Sequence, residues 1–207
     1  RRGRAAVTPR EQPLTRDEIL AAALVIVDEG GPDALSMRKL ASALGVEAMT
    51  LYHHFTNKDA ILDGVVERVF AEMRMPEPLP EEWIALAEEM FVAFRRVLVD
   101  HPATIALLAR RPLNTDASAD FVEAPLAVLA RSGLPPERVG QLYQSLVAYA
   151  FGHAFIASDR PKTPAESSLR TDTARYPTAM AAGAAVSQFD EATFRETLGH
   201  IMRGFAA

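Results

Sequence analysis

The sequence predicts an all-α protein in two parts, a small amino-terminal group of short helices followed by a larger helical region. Apolar residues recur at helical spacing from Ile19 to the end of the 207-residue chain. No stretch shows the alternating, β-branched pattern of a strand. The run Met75-Pro76-Glu77-Pro78-Leu79-Pro80 sets three prolines within five residues, which forbids a continuous helix and marks the boundary between the parts.

The first helix has a complete start signal. Thr15 is placed as its N-cap, Glu18 closes a capping box, and Leu14 and Ile19 stand at the positions of a hydrophobic staple. It should run to about Asp28 and stop at Gly30-Gly31. A second helix begins at Ser36, with Leu35 and Leu40 as its staple, and ends near Leu44, where Gly45 supplies a left-handed turn. A third covers about Glu47 to His54. A fourth starts at Asn57, where Asp59 complements the helix dipole. Two short helices joined at a glycine and buttressed by a longer first one make a helix-turn-helix.

Beyond the prolines, the fifth helix (about Glu81 to Asp100) is apolar on much of its circumference and is expected to be largely buried. Further helices are expected at Thr104 to Arg110, Ser118 to Arg131, Pro136 to Ser158, about Pro177 to Val186, and Glu191 to Phe205. The Pro-, Ser-, Thr- and charge-rich stretch 159–176 reads as a mobile loop. The organisation is thus an arginine-containing arm over 1–13, a helix-turn-helix domain over 14–60, a connecting helix over 61–75, and a larger domain over 76–207. Arg1, Arg2, Arg4 and Arg10 on a flexible arm can enter a minor groove or meet phosphates, and serve equally well as a solubilising tail.

Composition excludes several classes of function. There is no cysteine, hence no disulfide framework and no thiolate chemistry. No apolar run approaches the roughly 20 residues that span a bilayer, and no secretory leader is apparent, so the expectation is a soluble, cytoplasmic protein with no membrane role. His-Glu-x-x-His, Gly-x-Ser-x-Gly, Walker and dinucleotide signatures are missing, which argues against an enzyme or a bound cofactor. His101, His153 and His200 lack partners at metal-ligand spacing, so no metal is expected, and Glu88-Glu89 is assigned to an exposed edge. The net charge of −5 opposes polyanion binding, but it is unevenly spread. Residues 1–60 carry eight basic and eight acidic side chains, and all the excess acid lies downstream. A local basic face can still hold phosphates.

On the third helix Val46, Leu51 and Phe55 can face a core. Ala48, Met49, Thr50, Tyr52, His53 and His54 then remain as outward candidates. Thr50, Tyr52 and His54 can bond phosphate oxygens or base edges, and Ala48 or Met49 can touch a thymine methyl. Lys58, in the first turn of the fourth helix, can join that helix's free amides at a phosphate. The run from Ser36 through Arg38-Lys39-Leu40-Ala41, Leu44-Gly45-Val46-Glu47, Thr50-Leu51-Tyr52, His54 and Asn57-Lys58 resembles the DNA-binding signature of the TetR family of transcription regulators. The resemblance implies that Arg38, Thr50, Tyr52, His54 and Lys58 contact double-stranded operator DNA, with Ala48 and Met49 also at the operator. It implies a repressor as the default, with an activator of the same fold as the alternative; a helical ligand carrier and a helical-bundle enzyme are the rival classes, and neither has a supporting motif.

The region beyond the prolines resembles the same family more loosely, through Trp83, Arg111-Pro112 and Gly152. That architecture implies a homodimer whose four-helix bundle uses Pro136–Ser158 and Glu191–Phe205, with Phe194, Leu198, Ile201, Met202 and Phe205 on one face, the intrasubunit core being the competing assignment for any one of these residues. A dimer also suits two operator half-sites related by a two-fold axis. For a small-molecule effector pocket the candidates are Met90, Phe94, Leu107, Arg110, Phe121, Tyr143, Gln144 and Phe151, which mix aromatic walls with a few polar groups. In drug-binding members that hold a magnesium chelate, the metal-side positions correspond to the neighbourhood of Leu107, Arg110 and Ile156, and drug-facing ones to Met73, Met90 and Ala148. Oxygen and imidazole are missing there, so the expected effector is metal-independent and largely apolar or aromatic, with Arg110 available to an acid.

Overall fold

A computed structural model describes residues 13–110, 116–158, 175–182 and 188–207, with no strand among them. The helices are α1 (Arg16–Gly30), α2 (Met37–Leu44), α3 (Ala48–Tyr52), α4 (Lys58–Phe70), α5 (Trp83–Asp100), α6 (Ala103–Arg110), α7 (Asp116–Ala130), α8 (Pro136–Ser158), α9 (Pro177–Ala182) and α10 (Glu191–Ala206). A 3-10 turn over Pro32–Ala34 follows α1, an element that the sequence pattern did not suggest. Residues 1–12 of the arginine arm and nearly all of the expected loop over 159–176 lie outside the described residues, as does the last part of the helix expected to reach Val186.

The described residues divide into two compact units. One takes those of Arg1–Glu72 and His101–Ser118, the other those of Met73–Asp100 and Ala119–Ala207. The first unit therefore gains α6 from beyond the prolines. Amphipathic spacing explains why: Thr104, Leu107 and Leu108 form one face of α6, and all three are buried against α1 and α4. The start of α6 is fastened as well. The Thr104 hydroxyl donates to the His101 carbonyl at 2.6 Å, and the His101 ring sits between Asp28 at the end of α1 (2.8 Å) and Glu72 just after α4 (3.0 Å). Burial opposes a charged imidazole here, but the two carboxylates outweigh it and raise the His101 pKa above its ordinary value.

The local start and stop signals appear as expected. Thr15 and Glu18 form the reciprocal capping box. Ser36 Oγ accepts from the Lys39 amide, and Asn57 Oδ1 accepts from the Ala60 amide at 2.8 Å. Leu14, Ile19, Leu35 and Leu40, the four staple residues, are all buried. Ile19, Val27, Leu40, Leu51, Ile61 and Val65 supply the centre of the first unit's core.

In the second unit α5, α8 and α10 pack together around Phe91, Val92, Leu142, Leu146, Phe194, Leu198 and Met202, with Leu129 of α7 added. This corrects the assignment of α10's apolar stripe to an intersubunit bundle. Phe194, Leu198 and Met202 are fully buried within the subunit, and Ile201 and Phe205 pack partly buried against the same cluster. An apolar stripe specifies that it must be covered, not by which chain. The exposed-edge assignment of Glu88-Glu89 is also corrected. Both are half-buried; Glu89 pairs with Arg195, and burial raises the Glu88 carboxyl.

Candidate nucleic-acid interface

The recognition element begins with α2, whose Leu40 and Ala41 are its buried face. At its end Gly45 adopts φ 66° and ψ 32°, the left-handed conformation that a side chain disfavours. This turn lets the Gly45 amide donate to Ser42 and the Val46 amide to Ala41 at 3.0 Å, so that the chain reverses tightly into α3.

The α3 helix is shorter than its sequence suggested. Glu47 is the N-cap without a side-chain cap bond, and after Tyr52 the residues His53 and His54 form a turn. The core anchors are Leu51 and Phe55, both buried, whereas Val46 is only half-buried. With that face fixed, Met49 is 66% exposed and Tyr52 49% exposed. Arg38 and His53 are exposed; Ala48, Thr50, His54 and Lys58 are half-buried. Lys58 opens α4 directly after its Asn57 cap, so its ammonium accompanies the free amides of that helix start. All seven residues expected at DNA thus lie on α2, on α3 and its turn, or at the start of α4.

One side chain of this region escaped the sequence reading. Arg16, the first residue of α1, donates from Nη1 to the His54 carbonyl at 2.5 Å, and its guanidinium lies 4.1 Å from the centre of the Phe55 ring. The neighbouring Asp17 pairs with Arg68 of α4.

The residues expected at an effector divide between the units. Leu107 is buried and Arg110 exposed, both on α6 in the first unit. Met90, Phe94, Phe121, Tyr143, Gln144 and Phe151 belong to the second. Within it Phe94 and Phe151 meet, with ring centres 5.7 Å apart and planes tilted by 50°. Tyr143 is half-buried, which raises its phenol pKa; Met90 and Phe121 are half-buried and Gln144 is exposed.

A second polar arrangement in this unit was not foreseen. Arg95 and His153 are only 7% and 3% exposed. Arg95 Nε donates to His153 Nδ1 at 2.9 Å, and its Nη2 donates to the Phe189 carbonyl at 2.9 Å. The rings of Tyr149, Phe189 and Phe194 surround the imidazole, and its Nε2 has no partner among the described residues. Burial and the adjacent guanidinium hold the imidazole neutral, lowering its pKa to about 4. The sequence showed only that His153 has no partner at metal-ligand spacing and gave no sign of Arg95, which stands 58 residues away.

Comparison with known proteins is consistent with this arrangement. Residues 19–65 match the family described as bacterial regulatory proteins, tetR family, and residues 75–207 match the tetracyclin repressor-like C-terminal domain. An HTH-type transcriptional regulator of Saccharopolyspora erythraea is 42% identical over 122 residues, covering 57% of this chain and 52% of that protein. The chain thus matches about half the length of that relative. The class D tetracycline repressor protein of Escherichia coli is 30% identical over 164 residues, 74% of each chain. Among solved structures, the Streptomyces coelicolor TetR family protein ActR in complex with actinorhodin gives a TM-score of 0.76 at 28% identity, covering 93% of this chain and 95% of its own.

Proposed function

We propose, on the premise that the chain belongs to the tetR family of bacterial regulatory proteins, that it is a homodimeric transcription repressor that leaves its operator when a small molecule binds the carboxy-terminal domain. The observation that carries the DNA-binding part is the geometry of α2, Gly45 and α3. Leu51 and Phe55 lock the short helix onto a core, and that leaves Met49 and Tyr52 facing outward, with Lys58 at the following helix start. Tyr52, Thr50, His54, Lys58 and Arg38 then serve phosphates and base edges, and Ala48 and Met49 offer apolar contact to thymine methyls. A single module of this size covers too few base pairs for operator affinity, which favours a two-fold dimer. No catalytic step is assigned.

The effector reading rests on the aromatic residues of the second unit. Phe94, Phe151 and Tyr143 offer walls, half-buried Met90 and Phe121 add apolar surface in the same unit, and Gln144 is a polar handle. Actinorhodin occupies ActR, and the class D relative is named for tetracycline. An aromatic effector held without a metal suits this side-chain set. Leu107 and Arg110, on α6 of the first unit, are not part of this set.

A mobility-shift titration with the intergenic DNA upstream of the chain's own gene tests the proposal. Specific, salt-sensitive retardation that a small molecule reverses is expected, and a promoter-reporter measurement of the same fragment separates repression from activation. Absence of sequence-specific retardation at low salt would refute the DNA-binding reading and favour a ligand carrier. Calorimetric titration with magnesium-tetracycline tests the effector class: micromolar binding that a chelator abolishes would overturn metal independence.

A further inference from the structure

The α3 helix has five residues, about 7.5 Å of rise, whereas isolated helices below roughly 12 residues are marginal in water. Its direction must therefore come from what grips it. Leu51 holds its middle. Its carboxy-terminal end passes into the turn 53–57, which connects Tyr52 to Lys58 and so sets the distance between the two side chains best placed for phosphates. Arg16 closes on that turn. One guanidinium nitrogen bonds the His54 carbonyl, and the guanidinium carbon lies over the buried Phe55 ring. Such a pairing combines a charge-assisted hydrogen bond with a cation–π contact.

The placement of Arg16 is otherwise unfavourable. A cation in the first turn of a helix opposes the macrodipole, and Asp17 and Glu18 beside it are the residue types that position prefers. We propose that Arg16 is a positioning residue for operator recognition, orienting the turn between Tyr52 and Lys58 rather than contacting DNA itself. The clamp works because its base is fixed: Asp17 ties the same end of α1 to Arg68 of α4, the helix that carries Lys58. Arg16 and Phe55 thus hold the exit of α3 against the start of α1, and Asp17 ties that same start to the last turn of α4 through Arg68.

This inference rests on the DNA-binding reading, but one of its tests does not. Hydrogen exchange of the full-length protein without DNA should show faster exchange over 53–57 in Arg16→Gln than in wild type. The amides of α2 and of the α4 interior should stay unchanged, and circular dichroism should show full helix content. With the upstream fragment that wild type retards, Arg16→Gln should bind about tenfold more weakly while log affinity against log salt keeps its slope. Arg16→Lys, which keeps the donor and charge but lacks the flat guanidinium, should recover part of the loss. A slope shallower by about one would show a direct phosphate contact and overturn the positioning role. Unchanged exchange over 53–57 would overturn it whether or not the fragment binds, and so would unchanged affinity or global loss of helix.

Discussion

Acidification should weaken the second unit through His153, and the size of the effect follows from the structure. In the unfolded chain an imidazole protonates near pH 6.5. In the fold, burial and the facing Arg95 guanidinium lower that to about 4. The folded state therefore binds fewer protons between those values. Stability is present in full above about 6.5 and falls as pH drops towards 4, below which the loss is complete. A gap of about 2.5 pH units at about 1.4 kcal/mol each gives about 3.5 kcal/mol. His153→Asn isolates the contribution, because an amide oxygen can still accept from Arg95 Nε but does not titrate. The single tryptophan, Trp83, packs at the edge of this unit's core, so its fluorescence during urea unfolding reports the right part of the molecule. Between pH 7 and 4.5 wild type should lose roughly 2 to 3 kcal/mol relative to the variant. Parallel stability curves would refute the neutral, buried imidazole.

His101 should act in the opposite direction. Its raised folded pKa means stabilisation is complete below about 6.5 and is lost as pH rises through the folded value, so His101→Asn should cost roughly 1 to 2 kcal/mol in mild acid and progressively less as pH rises, read by differential denaturation. Lys58→Ala should weaken operator binding across sequences and reduce the salt slope by about one, with dimer mass unchanged in sedimentation. Gly45→Ala meets no steric neighbour, so its cost is the left-handed conformation alone, roughly 1 to 2 kcal/mol of stability in thermal unfolding; a neutral result would mean that the turn does not need glycine.

What the sequence disclosed here is what depends on residues close together in the chain. Caps at Thr15, Ser36 and Asn57 work over three residues, and Gly45 needs only its own dihedral angles. The outward set on α3 follows from fixing Leu51 and Phe55, again within one helical turn. The Arg16 clamp spans 38 residues and the Arg95–His153 pair spans 58, and no periodicity links such positions. Leu198 shows a different limit. Its spacing with Phe194 and Met202 correctly required burial, but the same stripe satisfies a core and a subunit interface equally well. Only the packing of α10 on α5 and α8 decides for the core.

The two histidines show why residue type alone said so little about chemistry in this chain. Both lack a partner at metal-ligand spacing along the sequence, and that treated them alike. In the fold His101 lies between two carboxylates, at the point where the ends of α1 and α4 meet the start of α6, so a proton on it adds attraction. His153 faces an arginine inside three aromatic rings, so a proton on it adds repulsion in a poorly solvated place. One imidazole is thus held towards its protonated form by two carboxylates of the first unit, and the other is a neutral acceptor that keeps a buried guanidinium bonded. Mild acid should therefore tighten the first unit while loosening the second, and this opposition is a consequence of partners that only the tertiary fold supplies.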